Sequence, residues 1–262
     1  MYPILFEVGN FSVKSYWAFM ALGFIIGGIV IYWQAKEKNF DSHKAKYLIL
    51  ATIISGFVGS RLGYVLLNFS SYQKDLLKIL QFWKGGFSWQ GGFIAAFLIV
   101  LLILRNGKEK IGKWLDVIML GMLLGHSVGR IGCFLNGCCY GTITNVPWAI
   151  KFPNLGDNLL RHPTQLYEAL SYFLIFLLLY YYSKKIKLKN GSLFFIGTAL
   201  HSLTRFIIEY FRYNKDFIYQ GKIWYATLNY SQLTALIIII ISLLILFKIN
   251  YNNLSLRSRT LK

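Results

Sequence analysis

Charged residues are scarce in this sequence, and acidic ones are the scarcest. Only 15 % of the 262 residues are Asp, Glu, Lys or Arg, whereas a soluble domain carries about 25 %. The 10 acids stand against 28 basic residues, which gives a net charge of +18. Hydrophobic residues make up 56 % of the chain, and the mean hydropathy is +0.49. These proportions exclude a disordered chain and argue against a single soluble globular domain.

Charge is absent, or reduced to a single residue, in seven long apolar runs. A bilayer core about 30 Å thick is crossed by a helix of about 20 such residues. The runs cover residues 15–35, 47–73, 85–104, 117–136, 165–183, 190–208 and 223–247. They predict an all-α integral membrane protein with seven transmembrane helices, forming a single polytopic domain over residues 1–262.

Basic residues are rare inside the runs, and most of them fall in short clusters between the runs. This distribution is typical of membrane proteins, so no nucleic-acid partner is expected. The richest clusters lie within residues 36–46, 105–113, 184–189 and 248–262. Since cytoplasmic loops carry the excess of Lys and Arg, the bias predicts an external N-terminus and a cytoplasmic C-terminus.

Proline is rare too, and three of the four prolines fall between Asn136 and Gln165. With the glycines of the same stretch they mark an irregular segment. Given the predicted orientation, residues 136–165 form a small external head segment. Another external stretch, residues 68–84, mixes leucines with lysines. It is either an arm along the membrane interface or a simple connecting helix.

Single arginines interrupt three of the runs, at Arg61, Arg130 and Arg205. Counted from Tyr47, Leu115 and Gly191 as the inner ends of the three spans, each arginine lies 14 or 15 residues in, which corresponds to about 21 to 23 Å of helix. An arginine in a span costs about 2.5–3.5 kcal/mol on insertion scales and by default marks a site. Glu209 is an acid at comparable depth, and one carboxylate cannot neutralise three guanidiniums. We therefore predict a site for an anion, the phosphate of a membrane phospholipid, which arginine binds bidentately.

The alternative for each arginine is a structural role. A guanidinium can extend to the interface or bind backbone carbonyls, and Arg205 can pair with Glu209 merely to join helices. The surroundings of two of the arginines favour a site. Arg130 is flanked by four glycines and follows His126 by one helical turn, while His201, Arg205, Glu209 and Arg212 form a polar stripe on an apolar helix.

The three cysteines, Cys133, Cys138 and Cys139, cluster where the fourth run ends. Their spacing lacks the CxxC pairs of a zinc site, so no metal is predicted. A Cys133–Cys138 disulfide on an oxidising outer side, a reactive thiol, and small residues packed at a crowded helix end all stay open. His162 precedes a predicted helix start, where it is either a general base or a brace for the loop. No phosphate-loop or dinucleotide fingerprint indicates a cofactor.

Several of these stretches resemble the prolipoprotein diacylglyceryl transferase family of bacteria. The resemblance covers nearly the whole chain, and order and spacing agree. The two specific stretches are Gly129-Arg130-Ile131-Gly132 and His162-Pro163-Thr164-Gln165-Leu166-Tyr167-Glu168. The others are residues 15–17, 61–64, 85–92, 136–137 with Gly141, and 205–212.

The resemblance implies an enzyme of the bacterial cytoplasmic (inner) membrane whose active site faces outward. Its partners are phosphatidylglycerol, membrane lipid and prolipoprotein signal peptides. It transfers a diacylglyceryl group from phosphatidylglycerol to the lipobox cysteine thiol and releases glycerol phosphate. The implied catalytic residues are Tyr16, Gln90, Arg130, His162 and Arg205. The implied substrate-binding residues are Arg61, Arg130, Asn136, Gly141, Glu168, Arg205, Glu209 and Arg212.

Three positions depart from the family pattern. The family usually has His at position 90, Asn at 133 and Glu at 138, where this chain has Gln90, Cys133 and Cys138. Because an amide cannot remove a proton, Gln90 leaves the activation of the thiol open. His126, His162, His201 or Glu168 can replace it, or the positive site can help the thiol to ionise. The alternative functions are a phosphatidylglycerol-binding inactive paralogue and a lipid transporter.

Overall fold

The computed structural model describes residues 1–9, 11–73, 75–105, 110–186, 188–213 and 228–259. Within these residues the chain forms seven helices. They are α1 (Ser15–Glu37), α2 (Ser42–Leu67), α3 (Trp89–Arg105), α4 (Ile111–Asn136), α5 (Thr164–Lys185), α6 (Ser192–Glu209) and α7 (Tyr230–Arg259). The helices belong to two compact units, one made of residues 1–30 and 115–262 and the other of residues 31–114.

Five of these helices, α1, α2, α4, α5 and α7, are long and apolar enough to cross a membrane, as in a multi-pass membrane protein. The predicted third run forms α3, which has 17 residues. It begins late because Gly85 and Gly86 adopt φ of +77° and +83°, which a helix cannot contain. The predicted sixth run forms α6. This helix is not among the five, because its polar stripe lowers its mean hydropathy. The predicted start of the seventh run, Ile223, lies outside the described residues.

The larger unit is built around α4, α5 and α6. Its core is an apolar cluster from these three helices, made of Met119, Leu120, Leu123, Tyr172, Leu179 and Leu193. The middle of α1 packs backbone to backbone on α4, since a Cβ at Gly23 or Gly27 would lie 2.5 or 2.7 Å from a carbonyl oxygen of α4. At the other side of α4, the buried Asp116 accepts hydrogen bonds from the amides of Gly191 and Phe194, both at 2.8 Å. This carboxylate accepts hydrogen bonds from amides that the first turn of α6 would otherwise leave without a partner. It therefore fixes the position of α6 along the axis of α4.

The smaller unit is a helix pair, α2 and α3, with the loop that connects them. Asp41 caps α2 by accepting hydrogen bonds from the amides of His43 and Lys44. Close approach of the two helices depends on Gly59 and Gly91, because a Cβ at either would overlap the other helix. The connecting loop, residues 68–84, consists of short 3₁₀ turns with exposed leucines, so it is not the continuous connecting helix that was one of the two predictions. Lys74 lies outside the described residues.

Short strands add to the all-α architecture that the sequence predicted. Near the N-terminus, β1 (Ile4–Val8) and β2 (Phe11–Lys14) form an antiparallel hairpin. In the predicted head segment, β3 (Ile150–Lys151) pairs with β4 (Leu160–Arg161). Hydropathy alone could not reveal β3 and β4, because two-residue strands carry no period. The head segment is tied to the end of α6 by the bridge between Gly141 and Arg212 and by the 2.8 Å hydrogen bond from the Thr142 amide to Phe211 O.

Candidate active site

Two of the three arginines converge on one carboxylate. Glu168 of α5 is 2 % exposed and receives Arg130 Nε at 2.5 Å on Oε2 and Arg205 Nη1 on Oε1. The guanidiniums come from different helices, α4 and α6, and the sequence placed them at equal depth. Their side chains are 16 % and 18 % exposed, so they are partly accessible and are not sealed in the core.

A second buried carboxylate continues this arrangement. Glu209 Oε2 lies 2.7 Å from Arg205 Nη2 and 3.8 Å from Arg212 Nη1, while its Oε1 accepts a 2.9 Å hydrogen bond from Asn229 Nδ2. We call Arg130, Arg205 and Arg212 the arginine cluster. Its three positive charges meet two carboxylates, so one positive charge is in excess.

Arg130 keeps hydrogen-bonding capacity after its ion pair is formed. In this pair its Nε lies 2.5 Å from Glu168 Oε2. Within the described residues, neither of its terminal amino groups has a hydrogen-bond partner. Those groups carry four of the five N–H donors of a guanidinium. The geometry therefore offers a planar, partly exposed donor set with excess positive charge, which suits an oxygen-rich anion.

The buried imidazoles are occupied with each other. His126 Nδ1 and His201 Nε2 are 3.1 Å apart, and both rings stack on Tyr172 with centroids at 4.6 and 4.5 Å. This stack supports the arginine cluster from the core. The hydrogen bond between the two rings occupies one nitrogen of each imidazole.

The chain after α4 is fastened to the arginine cluster at Gly141. Its amide donates to His162 O at 2.8 Å, and it forms an antiparallel bridge with Arg212. A Cβ at this position would overlap Phe211 O and lie 2.6 Å from the Cβ of His162, so only glycine fits. Asn136, at the end of α4, accepts a 2.9 Å hydrogen bond on its carbonyl from Asn154 Nδ2.

The three cysteines come together in this same turn. All three sulfur atoms lie within 4.8 Å of one another, and all three are free thiols. The carbonyl of Cys138 accepts from Gln165 Nε2 at 2.5 Å, and that of Cys139 accepts from Thr164 Oγ1 at 2.7 Å. The first turn of α5 therefore clamps the turn that presents the thiols.

His162 lies at the edge of the head segment. Its Nδ1 is 3.0 Å from the hydroxyl of Tyr167, which also accepts a 2.7 Å hydrogen bond from Trp148 Nε1. Partial burial lowers the pKa of His162 below its ordinary value of 6.5. The imidazole is therefore neutral at pH 7 and is braced by its neighbours.

The remaining predicted site residues occupy different surroundings. Tyr16 lies in the first turn of α1, where it packs edge-on against Trp17 at 5.2 Å and interacts electrostatically with Arg130. Gln90 is in the smaller unit and accepts a 3.1 Å hydrogen bond from Ser88. Arg61, also in the smaller unit, is 3 % exposed and donates only to backbone carbonyls. Its acceptors are the carbonyls of Lys78, Ile79, Gln81, Gly85 and Gly86.

These five bonds use every N–H donor of the Arg61 guanidinium. The alternative of carbonyl binding, raised from the sequence, is what the structure shows, and a substrate-binding role for Arg61 gains no support from it. The guanidinium lines a cavity of about 350 Å³ within the loop.

Sequence analysis did not predict that Glu168 contacts both Arg130 and Arg205, or that Asn229 donates a hydrogen bond to Glu209. The i, i+4 spacing of Arg205 and Glu209 is visible in the sequence. The pairing of Glu168 with two other helices is a tertiary contact with no local signal. Asn229 lies before α7, in no recognisable motif.

A multi-pass helical chain with a partly exposed cluster of arginines held by buried carboxylates is an integral membrane protein with a polar site inside its helical bundle. The chain belongs to the prolipoprotein diacylglyceryl transferase family, whose sequence profile matches residues 3–248.

Relatives from distant bacteria share most of its length. The phosphatidylglycerol–prolipoprotein diacylglyceryl transferase of Wolbachia pipientis subsp. Culex pipiens is 36 % identical over 254 residues, which cover 93 % of each chain. That of Finegoldia magna is 34 % identical over 245 residues, 94 % of each chain. That of Clostridium botulinum is 32 % identical over 255 residues, 95 % of this chain and 97 % of the relative.

Proposed function

We propose that this protein transfers the diacylglyceryl group of phosphatidylglycerol to the lipobox cysteine thiol of prolipoproteins and releases glycerol phosphate. Membership of the family and the names of its relatives support the assignment. The observation that carries it is the convergence of Arg130 and Arg205 on Glu168, while the terminal amino groups of Arg130 have no hydrogen-bond partner in the part of the chain that the structure describes. That arrangement suits the phosphate of the lipid head group.

The chemistry is a displacement at a glycerol carbon. The acceptor sulfur forms a bond to this carbon while the bond from the carbon to the phosphate oxygen breaks. Negative charge accumulates on the departing oxygen, which Arg130 and Arg205 stabilise more strongly in the transition state than in the ground state. Because the carboxylates already orient both guanidiniums, little reorganisation accompanies the reaction.

Glu168 and Glu209 act as positioning residues in this scheme. Each is almost fully buried and bound to arginine. Glu168 is occupied by two ion pairs, so it is a poor proton acceptor for the incoming thiol. The excess positive charge of the arginine cluster is compensated when the lipid phosphate arrives. Arg212 and Asn229 hold Glu209, and through it Arg205, at the level of Arg130.

The other site residues surround the same region. Tyr16 lies beside Arg130. Gly141 and Asn136 shape the turn over the arginine cluster, and His162 with Tyr167 braces that turn. We assign Gln90 a polar contact with substrate and no proton transfer, and we place Arg61 in loop architecture, outside the phosphate site.

The proposed topology has seven spans, an external N-terminus and a cytoplasmic C-terminus in the bacterial inner membrane. Residues 136–165 form the external head segment and residues 68–84 lie along the interface. This orientation places the arginine cluster in the outer half of the bilayer. Lipid then enters sideways from the membrane, while the prolipoprotein signal peptide reaches the cleft from the same bilayer.

Purified full-length protein with phosphatidylglycerol vesicles and a lipobox peptide tests the function. We expect the peptide to gain the mass of one diacylglyceryl group on its thiol and glycerol phosphate to appear in equal amount. A peptide with Ser in place of the lipobox Cys is the control. Lipid binding without either product would identify an inactive paralogue, and lipid movement without modification would identify a transporter.

A further inference from the structure

The three cysteines take no part in the phosphate chemistry, yet the fold gathers them. We call Cys133, Cys138 and Cys139 the thiol cluster. Its sulfur atoms all lie within 4.8 Å of one another. In a tetrahedral zinc site with Zn–S bonds of about 2.3 Å, the sulfurs lie about 3.8 Å apart. Small side-chain rotations would therefore close the cluster around one ion, although the sequence spacing did not suggest a metal.

The backbone that presents these thiols is unusual. Cys139 adopts a φ of +63° and Gly137 a φ of +72°. A left-handed conformation is unfavourable for a residue with a Cβ and is kept only where the surroundings impose it. Here the imposing contacts are the hydrogen bonds from Gln165 and Thr164 to the carbonyls of Cys138 and Cys139. The fold thus keeps an unfavourable turn that brings the thiols together.

The cluster has the charge and the openness of a reactive metal site. Three thiolates and one Zn²⁺ carry a net charge of −1, and Arg130 and Arg212 lie close enough to interact electrostatically with Cys139. Cys133 is 7 % exposed, whereas Cys138 and Cys139 are partly exposed. Within the described residues, no His, Asp or Glu joins the cluster. Three protein ligands with an open fourth position are the pattern of catalytic zinc.

The transfer reaction needs a thiolate, and the arginine cluster offers no base to make one. Glu168 and Glu209 are held in ion pairs, and His126 and His201 bond to each other. His162 lies at the edge of the head segment, not in the arginine cluster, and its contact with Tyr167 uses Nδ1 alone. A thiol that coordinates Zn²⁺ is deprotonated outright, without a protein base.

We propose that the thiol cluster binds Zn²⁺ through three thiolates and that the acceptor cysteine of the prolipoprotein becomes the fourth ligand. The proposal rests on the proposed function. The acceptor thiol binds the ion and releases its proton to water. Its sulfur then forms the bond to the glycerol carbon, and the carbon–oxygen bond breaks with its electron pair leaving on glycerol phosphate. The thioether product is neutral and coordinates zinc more weakly than a thiolate, so it leaves.

Metal content is the first measurement. Reduced full-length protein, exposed to Zn²⁺ and then dialysed, should retain one zinc per chain. Cys139→Ser and the triple Cys→Ser variant should retain none. Thr144→Ser, in the same loop but away from the cluster, is the matched control and should bind like the unmodified protein. Absence of stoichiometric zinc in the unmodified protein, or unchanged binding in the triple variant, overturns the proposal.

Cobalt substitution tests the open position on unmodified protein, so it does not depend on a variant folding. With Co²⁺ in the site, adding a lipobox peptide should raise the sulfur-to-cobalt charge-transfer absorption by about one third, because three thiolate ligands become four. The same peptide with Ser in place of Cys should leave the spectrum unchanged. A spectrum that does not respond to the thiol peptide overturns the proposed fourth ligand.

A transfer assay separates this proposal from the proposed function. A free thiol with a pKa of about 8.5 is only about 3 % ionised at pH 7. Metal-free protein should therefore be about 30-fold slower than the zinc form at pH 7 and should recover as the pH rises above 8. Full transfer at pH 7 without metal overturns the zinc mechanism and leaves the transferase standing. If no transfer occurs under any condition, the proposed transferase function is contradicted. The response of the cobalt spectrum to the thiol peptide still tests the proposed metal site in that case.

Discussion

Two arginine sites in apolar helices of this protein use the same side chain in opposite ways. Arg61 gives all five N–H donors to backbone carbonyls and is 3 % exposed. Arg130 and Arg205 contact carboxylates and are 16 % and 18 % exposed, and the terminal amino groups of Arg130 have no hydrogen-bond partner among the described residues. What separates a loop anchor from a ligand site is therefore how many donors the protein itself consumes.

The strongest test of this contrast is loss of the ligand-facing guanidiniums. Arg130→Ala and Arg205→Ala should each lower the rate of lipid transfer by at least about 100-fold, the usual effect of removing one transition-state donor. Arg130→Lys should recover little, because an ammonium lacks the planar fork. Product formation with purified variants in vesicles measures this. Near-normal transfer by Arg130→Ala would remove the arginine from the mechanism.

Glu168→Gln sharpens the contrast by freeing both guanidiniums. The amide keeps the shape and removes the charge that orients Arg130 and Arg205. We expect the turnover rate to fall by about 10- to 100-fold, since small displacements of positioning groups have effects of this size. Apparent binding of phosphatidylglycerol should hold or tighten, because the cleft becomes more positive. A rise in KM with unchanged kcat would contradict a positioning role.

The opposite outcome is expected for Arg61. Arg61→Ala leaves five carbonyls without their donor, so it should destabilise the protein by about 2–4 kcal/mol, within the range for lost buried hydrogen bonds. Transfer per folded molecule should change only a few-fold. Thermal unfolding in detergent and transfer normalised to folded protein provide the two readings. Loss of transfer at full stability would place Arg61 in the phosphate site after all.

Comparison of these two regions also shows what the sequence could predict. Apolar length located the helices, and the equal depth of Arg130 and Arg205 predicted that they share a site. It also suggested a site role for Arg61, because depth does not reveal which acceptors surround a guanidinium. The Glu168 contacts and the thiol cluster depend on helices distant in sequence and on one left-handed turn, neither of which leaves a periodic signal. The two-residue strands β3 and β4 leave no periodic signal either.

The smallest expected effect comes from His162, at the rim of the site. Its pKa is lowered by burial, so the fold favours the neutral ring. In the unfolded chain the ring takes up its proton near pH 6.5. The stability that His162 contributes is therefore complete above pH 6.5 and declines as the pH falls below that value. His162→Gln should weaken this acid sensitivity, as measured by unfolding temperature between pH 5 and 8 (about a unit and a half either side of the ordinary pKa).

Asp116 gives the arginine cluster a mechanical consequence. This residue ties α4 to the beginning of α6, and the contacts of Glu168 with Arg130 and Arg205 tie the same two helices again, 14 residues further along α4. These two sets of contacts, about 21 Å apart along the helix, prevent α4 and α6 from sliding past each other along their axes. An opening that admits a two-chained lipid must therefore form while α4 and α6 stay in fixed lengthwise register.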